Sequence, residues 1–228
     1  WFFYPGFTAK TGGLIRERHL LQRQAGFNRQ AWLHQAGLEL ELGERLVVLF
    51  CYANPALPDL LRLLSDQPTL LALTPGPAQA QIHDLALPAG VRTVGLPWLT
   101  QTDFDHLLWS ADLNLVRGED SLVRALWAGR PFLWQLYPQE DGAHGVKSRA
   151  FLDQFLAASG EPRDTTATWA RDLRRLWNRW NGAPLDDAQH PANAKQSPLP
   201  LNWPEGRAWT RAVTTWRACL QRRPADLT

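Results

Sequence analysis

The chain reads as an α/β fold: a Rossmann-like parallel sheet with flanking helices. Three observations predict it. From Arg45 onward, short apolar runs of strand length alternate with segments of helical period. The strand runs are apolar throughout rather than alternating, the pattern of strands buried on both faces. The connections between them are short, and right-handed crossovers are the way such units build a parallel sheet.

Residues 1–44 open with Trp1-Phe2-Phe3-Tyr4-Pro5-Gly6-Phe7, followed by Thr11-Gly12-Gly13. So dense a cluster of aromatic, Gly and Pro residues predicts a packed, irregular loop. Two short amphipathic helices follow, over 19–25 and 29–36. Strands are expected at 46–51, 69–73, 91–96, 113–116 and 131–136. Helices are expected at 57–65, 78–84, 102–110, 119–128 and 145–158. A Trp-rich helix over 165–181 precedes a Pro-, Asn-, Ala- and Asp-rich loop over 182–204, and a last helix covers 204–221. The tryptophans lie at helical spacing, which favours core or interface packing over a cofactor role. The organisation expected is therefore a linker with an aromatic loop and short helices (1–44), a Rossmann-like domain (45–181), and a loop and C-terminal helix (182–228) packing back across a domain interface.

Composition excludes several functions. With 24 basic and 22 acidic residues, net charge is +2, which argues against a dedicated polyanion binder but leaves room for one phosphate pocket. Two cysteines, Cys51 and Cys219, support neither a secreted disulfide framework nor a four-thiolate zinc site. The apolar run 46–53 is too short to span a bilayer, and no leader pattern marks export. A soluble, cytoplasmic setting is the expectation. Methionine is absent, the first position included, so the chain reads as a piece of something longer.

The most informative segment is Leu113-Asn114-Leu115-Val116-Arg117-Gly118-Glu119-Asp120-Ser121. A buried strand ends at Val116, Gly118 permits a sharp turn, and a helix follows with Asp120 or Ser121 as its N-cap. Gly129 closes that helix and Pro131 opens the next strand. Ligands of open parallel sheets bind beyond the carboxyl ends of the strands, where this turn lies. Arg117, Ser121 and the helix N–H groups suit a diphosphate, and Glu119 suits paired ribose hydroxyls. The competing reading is a capped helix carrying an Arg117–Glu119 or Arg117–Asp120 surface pair. The residues alone leave the two even. No GxGxxG or Walker motif is present, so NAD and P-loop chemistry are disfavoured.

Other strand ends face the same rim. Phe50 and Tyr52 follow the first strand and share one side of the chain. Trp98, Gln101 and Phe104 follow the third. An aromatic at such a rim can stack on a base, though core packing is the simpler role for Phe50 and Phe104. Gln139, Glu140, Asp141 and His144 follow the last strand. Their amide, carboxylate and imidazole groups can bond sugar hydroxyls, but a polar turn before the next helix is the preferred reading. A metal on Glu140, Asp141 and His144 lacks convincing ligand spacing. Cys51 reads as a small buried residue rather than a nucleophile.

Taken in order, Phe3-Tyr4-Pro5-Gly6-Phe7 with Thr11-Gly12-Gly13-Leu14-Ile15-Arg16-Glu17, Leu49-Phe50-Cys51-Tyr52-Ala53-Asn54-Pro55-Ala56-Leu57, Arg117-Gly118-Glu119-Asp120-Ser121, and Tyr137-Pro138-Gln139-Glu140-Asp141-Gly142-Ala143-His144 resemble the protein-arginine rhamnosyltransferases of bacterial elongation factor P, the EarP family. The resemblance implies an inverting GT-B glycosyltransferase, with two Rossmann-like domains facing a cleft. It implies dTDP-β-L-rhamnose as donor, an arginine of elongation factor P as acceptor, no metal or other cofactor, and neither nucleic acid nor membrane as partner. This chain resembles the C-terminal, donor-binding half. By that likeness Phe50, Tyr52, Gln101 and Phe104 hold the thymidine and neighbouring groups. Arg117, Gly118, Glu119, Asp120 and Ser121 form the main nucleotide and diphosphate segment, while Gln139, Glu140 and Asp141 contact the sugar. The family's catalytic aspartates belong to an N-terminal domain that nothing here matches. The chain alone is therefore expected to hold no catalytic residue and to bind donor without transferring it. Two alternatives stay open: another GT-B sugar-nucleotide transferase, or a non-catalytic α/β binding module with the Trp-rich helices as its partner surface.

Overall fold

The computed structural model describes residues 6, 11–140, 142–160, 167–183 and 201–222. Residues 1–5 and Phe7 of the aromatic opening, Asp141, and 184–200 of the expected loop lie outside them.

Five strands form one fully parallel sheet: β1 (Arg45–Leu49), β2 (Thr69–Leu73), β3 (Val91–Gly95), β4 (Leu113–Arg117) and β5 (Phe132–Gln135), in the order β3-β2-β1-β4-β5. Every residue of β1, β2 and β5 is buried, as their unbroken apolar runs require. Edge strand β3 is only partly covered. The helices between strands are α3 (Leu57–Leu64), α4 (Pro77–His83), α5 (Gln101–Ser110) and α6 (Gly118–Ala128). Before the sheet come α1 (Leu20–Ala25) and α2 (Arg29–Gln35). After it come α7 (Ala143–Ala158), α8 (Thr168–Trp180) and α9 (Gly206–Gln221).

Helix α7 packs on both α8 and α9, and α8 packs on β5. Phe132, Phe151, Phe155, Trp177 and Trp216 interlock there, with ring centroids 5.2–6.3 Å apart. Trp177 Nε1 donates to Ser148 Oγ at 2.8 Å, so the buried indole keeps a partner. The tryptophans of α8 and α9 are thus core, as their spacing predicts.

Two local expectations need correction. Strand β1 ends at Leu49, two residues early: Phe50 N makes the last ladder bond, to Leu115 O, and Tyr52 N turns to the Gln135 side chain instead. Helix α6 starts at Gly118, with Arg117 at the cap position and no side-chain cap; neither Asp120 nor Ser121 caps it. Gly118 has φ +69°, a left-handed value that lets strand turn into helix without an intervening residue.

Candidate functional site

The strand order reverses between β1 and β4. The chain leaves β1 toward β2 and β3, then returns to β4 and β5. Connections diverge there and leave a crevice beyond the carboxyl ends, the site where open α/β sheets bind ligands. Phe50 and Tyr52 leave β1 at this point, and Arg117 and Gly118 leave β4 beside them.

The Arg117 guanidinium lies between two rings, its carbon 4.6 Å from the Phe50 centroid and 4.6 Å from that of Tyr52. Its Nη1 donates to Cys51 O at 3.4 Å. Both rings are held in turn. Phe104 meets Phe50 edge-on at 5.6 Å, and Tyr137 meets Tyr52 edge-on at 5.3 Å. Gln135 Oε1 accepts the Tyr52 N–H at 2.8 Å. Asn181, at the end of α8, accepts from Leu136 N and donates to Trp134 O, anchoring the end of β5. A planar cation is therefore fixed at the switch point before any ligand arrives.

Beside it is a hollow of about 210 Å³, lined by Phe50, Thr74, Pro75, Trp98, Leu99, Thr100, Gln101, Phe104, Asp120, Ser121 and Arg124. One wall is aromatic and aliphatic. The other is polar and belongs to the first two turns of α6. Because no side chain caps α6, its first-turn N–H groups are left to a ligand. Trp98 stands 85% exposed at the lip.

Behind the polar wall, Arg124 Nη1 donates to Asp105 Oδ2 at 2.9 Å, and its Nη2 bonds Glu17. Burial pushes the Asp105 carboxyl up to about 6, against the pull of Arg124. Burial also raises Glu17, but the hydrogen bond from Arg124, a backbone hydrogen bond and the charges of Arg124 and Arg23 together outweigh it and leave that carboxyl below its ordinary value. Burial pushes the Cys51 thiol up to about 12, so it stays protonated and is no nucleophile.

The residues singled out in the sequence divide clearly. Phe50, Gln101, Phe104, Asp120 and Ser121 line the hollow, and Tyr52, Arg117 and Gly118 border it. Glu119 is exposed and outside the lining. Gln139 and Glu140 are exposed on the segment after β5 and also do not line it; Asp141 lies outside the described residues. His144 Nδ1 accepts the Gln139 N–H at 3.0 Å, so the segment forms a turn before α7. No cluster of three or more His, Cys, Asp or Glu suited to a metal occurs among the described residues. Thr74, Pro75 and Arg124 were missed. Thr74 and Pro75 follow β2 and obey the same strand-end rule. Arg124 is seven residues after Arg117, two helical turns further along α6.

Sheet order and hollow together define a Rossmann-like α/β domain with a ligand-sized cavity at its switch point. Residues 1–227 match the family model described as Elongation-Factor P (EF-P) rhamnosyltransferase EarP, and the chain belongs to that family. It is 43% identical over 199 residues to the protein-arginine rhamnosyltransferase of Pseudomonas aeruginosa, covering 79% of this chain and 51% of the relative. Identity to the Pseudomonas putida protein of the same name is 42% over 222 residues, covering 90% and 56%. The chain thus spans about half the length of these curated relatives. Its fold matches a solved chain described as the structural basis for EarP-mediated arginine glycosylation of translation elongation factor EF-P. That match has TM-score 0.74 and 34% identity, over 98% of this chain and 72% of that one.

Proposed function

We propose that this chain is the donor-binding half of an inverting GT-B glycosyltransferase, one that moves L-rhamnose from dTDP-β-L-rhamnose to an arginine of elongation factor P. The observation that carries the reading is the Arg117 guanidinium held between Phe50 and Tyr52, beside an aromatic-walled hollow and an uncapped helix start. In this reading the thymine enters between Phe50, Phe104 and Gln101, and the diphosphate lies against Arg117 and the α6 N–H groups. Asp120 and Ser121 contact the nucleotide, Glu119 the ribose, and the 139–141 segment the sugar.

Attack by the acceptor nitrogen breaks the bond between the anomeric carbon and the diphosphate oxygen, so negative charge grows on departing dTDP. A fixed guanidinium and a helix N-terminus stabilise that charge without reorganising. The acceptor guanidinium has a pKa above roughly 12 and needs a positioned carboxylate to become nucleophilic. In this reading that carboxylate belongs to a part of the enzyme beyond this chain. The reading includes no resident cofactor and a cytoplasmic setting. Among the described residues no helix is long and apolar enough to cross a membrane.

Calorimetric titration of the chain with dTDP, dTDP-rhamnose and UDP-GlcNAc tests the donor reading. Thymidine donors are expected to bind and UDP-GlcNAc to bind far more weakly. A saturating dTDP concentration, about 100 times Kd, should add about 2.7 kcal/mol of apparent stability. A folded chain that takes up no dTDP refutes donor binding. The acceptor is tested separately, by mass spectrometry of elongation factor P incubated with the full-length enzyme and donor.

A further inference from the structure

By the opposite ends of the strands, a second and larger hollow of about 610 Å³ lies between α1, α6 and α9. It borders Gly129 and Arg130, just ahead of β5, whereas the donor hollow lies past the far ends of the strands. Three arginines line it, Arg29, Arg130 and Arg217, and among the described residues no acidic side chain does. Two of the three have a structural role. Arg29 Nε donates to Ser110 O at 2.6 Å and its Nη2 pairs with Asp112; Arg130 Nε donates to Trp109 O at 3.2 Å. Both serve the carbonyls at the end of α5, where a cation is favoured.

Arg217 is different. Its Nη2 bonds the neutral Gln24 Oε1, and its Nε is buried with no hydrogen-bond partner among the described residues. Its side chain lies across Gly129: a Cβ built there would stand 2.7 Å from Arg217 Cδ. Burial lowers the affinity of Arg217 for its proton, and the neighbouring charge of Arg130 lowers it further. A half-buried cation with an unpaired N–H, facing a second cation and no carboxylate of the described residues, is an electrostatically unfavourable arrangement unless an anion completes it.

The geometry points to a phosphate-class oxyanion site in this hollow, held by Arg130 and Arg217 and independent of the donor rim. Paired guanidinium forks match the oxygens of a phosphate. Phe27 and Trp109 supply an apolar wall for an organic substituent.

The test is titration of the full-length protein with inorganic phosphate and with phenyl phosphate, at constant ionic strength and with dTDP saturating. One equivalent of phosphate is expected to bind and to raise the thermal midpoint, whereas sodium chloride should not. Tighter binding of phenyl phosphate identifies a phosphomonoester as the ligand class; equal binding identifies the free anion; both support the site. Arg217→Gln should weaken phosphate by at least roughly tenfold, and Arg117→Ala should leave it unchanged. Thr214→Glu, at an exposed position on the same wall, supplies a fixed carboxylate one helical turn from Arg217. It should raise the midpoint in phosphate-free buffer and abolish the phosphate response. Absence of binding by the wild type, competition between phosphate and dTDP, or undiminished binding in Arg217→Gln or Thr214→Glu overturns the proposal.

Discussion

Arg117→Ala separates the structural and the ligand-binding roles of the residue on which the functional reading rests. In the free protein the guanidinium touches two rings at 4.6 Å, each contact worth about 0.5–1 kcal/mol. Its bond to Cys51 O, at 3.4 Å, adds little. The substitution should therefore destabilise by about 1–2 kcal/mol and lower the thermal midpoint by about 2–8 °C for a chain of this size. A charge-assisted bond to a diphosphate contributes about 1.5–3 kcal/mol, so Kd for dTDP should rise about 10- to 150-fold. Thymidine lacks the phosphates, and its Kd should change by less than about threefold if Phe50 stays in place. Arg117→Lys keeps the charge but loses the planar fork and the stacking, and should fall between wild type and Ala. Calorimetry with dTDP and thymidine, alongside a thermal melt, measures all four quantities. Retention of wild-type dTDP affinity by Arg117→Ala would falsify the assignment. Equal loss of thymidine and dTDP would show that Arg117 supports the base pocket rather than the diphosphate.

Other outcomes follow from neighbouring residues. Phe104→Ala removes both a wall of the hollow and the edge-on support of Phe50, and should cost dTDP and thymidine alike about 1–3 kcal/mol in a titration. Gly118→Ala puts a Cβ on a residue at φ +69° and should destabilise by about 1–2 kcal/mol in chemical denaturation; a neutral result would mean the turn relaxes. Ser148→Ala leaves the buried Trp177 indole N–H unpaired and should cost about 1–3 kcal/mol, with dTDP affinity intact. Asp105 takes up its proton more readily when folded than when unfolded, at about 6 against an ordinary value of 3.8. Its contribution to stability is thus full below pH 3.8 and is lost as pH rises through about 6. Asp105→Asn should remove that dependence, so the wild-type-minus-variant stability difference should fall between pH 4 and 6. A flat difference would show that Asp105 titrates normally.

Much of this molecule is written in local pattern. Short, mainly apolar runs alternating with helix-period segments predict strands of a parallel sheet, so the number of strands and their parallel arrangement were legible from residues 45–136, although β3, with Arg92 and Thr93, breaks the apolar pattern and is the partly covered edge. Boundaries were legible to within a residue or two, and the misplaced ones share a cause. Phe50 and Cys51 are as apolar as β1 itself, and only the bond from Tyr52 N to the Gln135 side chain shows that the strand has left the ladder. Asp120 and Ser121 are good capping residue types, yet Gly118 in a left-handed conformation starts the helix before them. Among site residues, Phe50, Tyr52 and Arg117 were visible because strand ends at a sheet edge are where ligands bind.

What sequence could not hold is which strands become neighbours. β1 and β4 are more than sixty residues apart, and only their pairing puts the Phe50 and Tyr52 rings on the two sides of one guanidinium. The same holds at the other ends of the strands, where Arg217 of α9 and Arg130 line one hollow. Residue type and spacing set the local conformations, because those depend on a few adjacent side chains. Charge left without a partner, and space left without an occupant, depend on distances between segments remote in the chain, and only the folded arrangement fixes those.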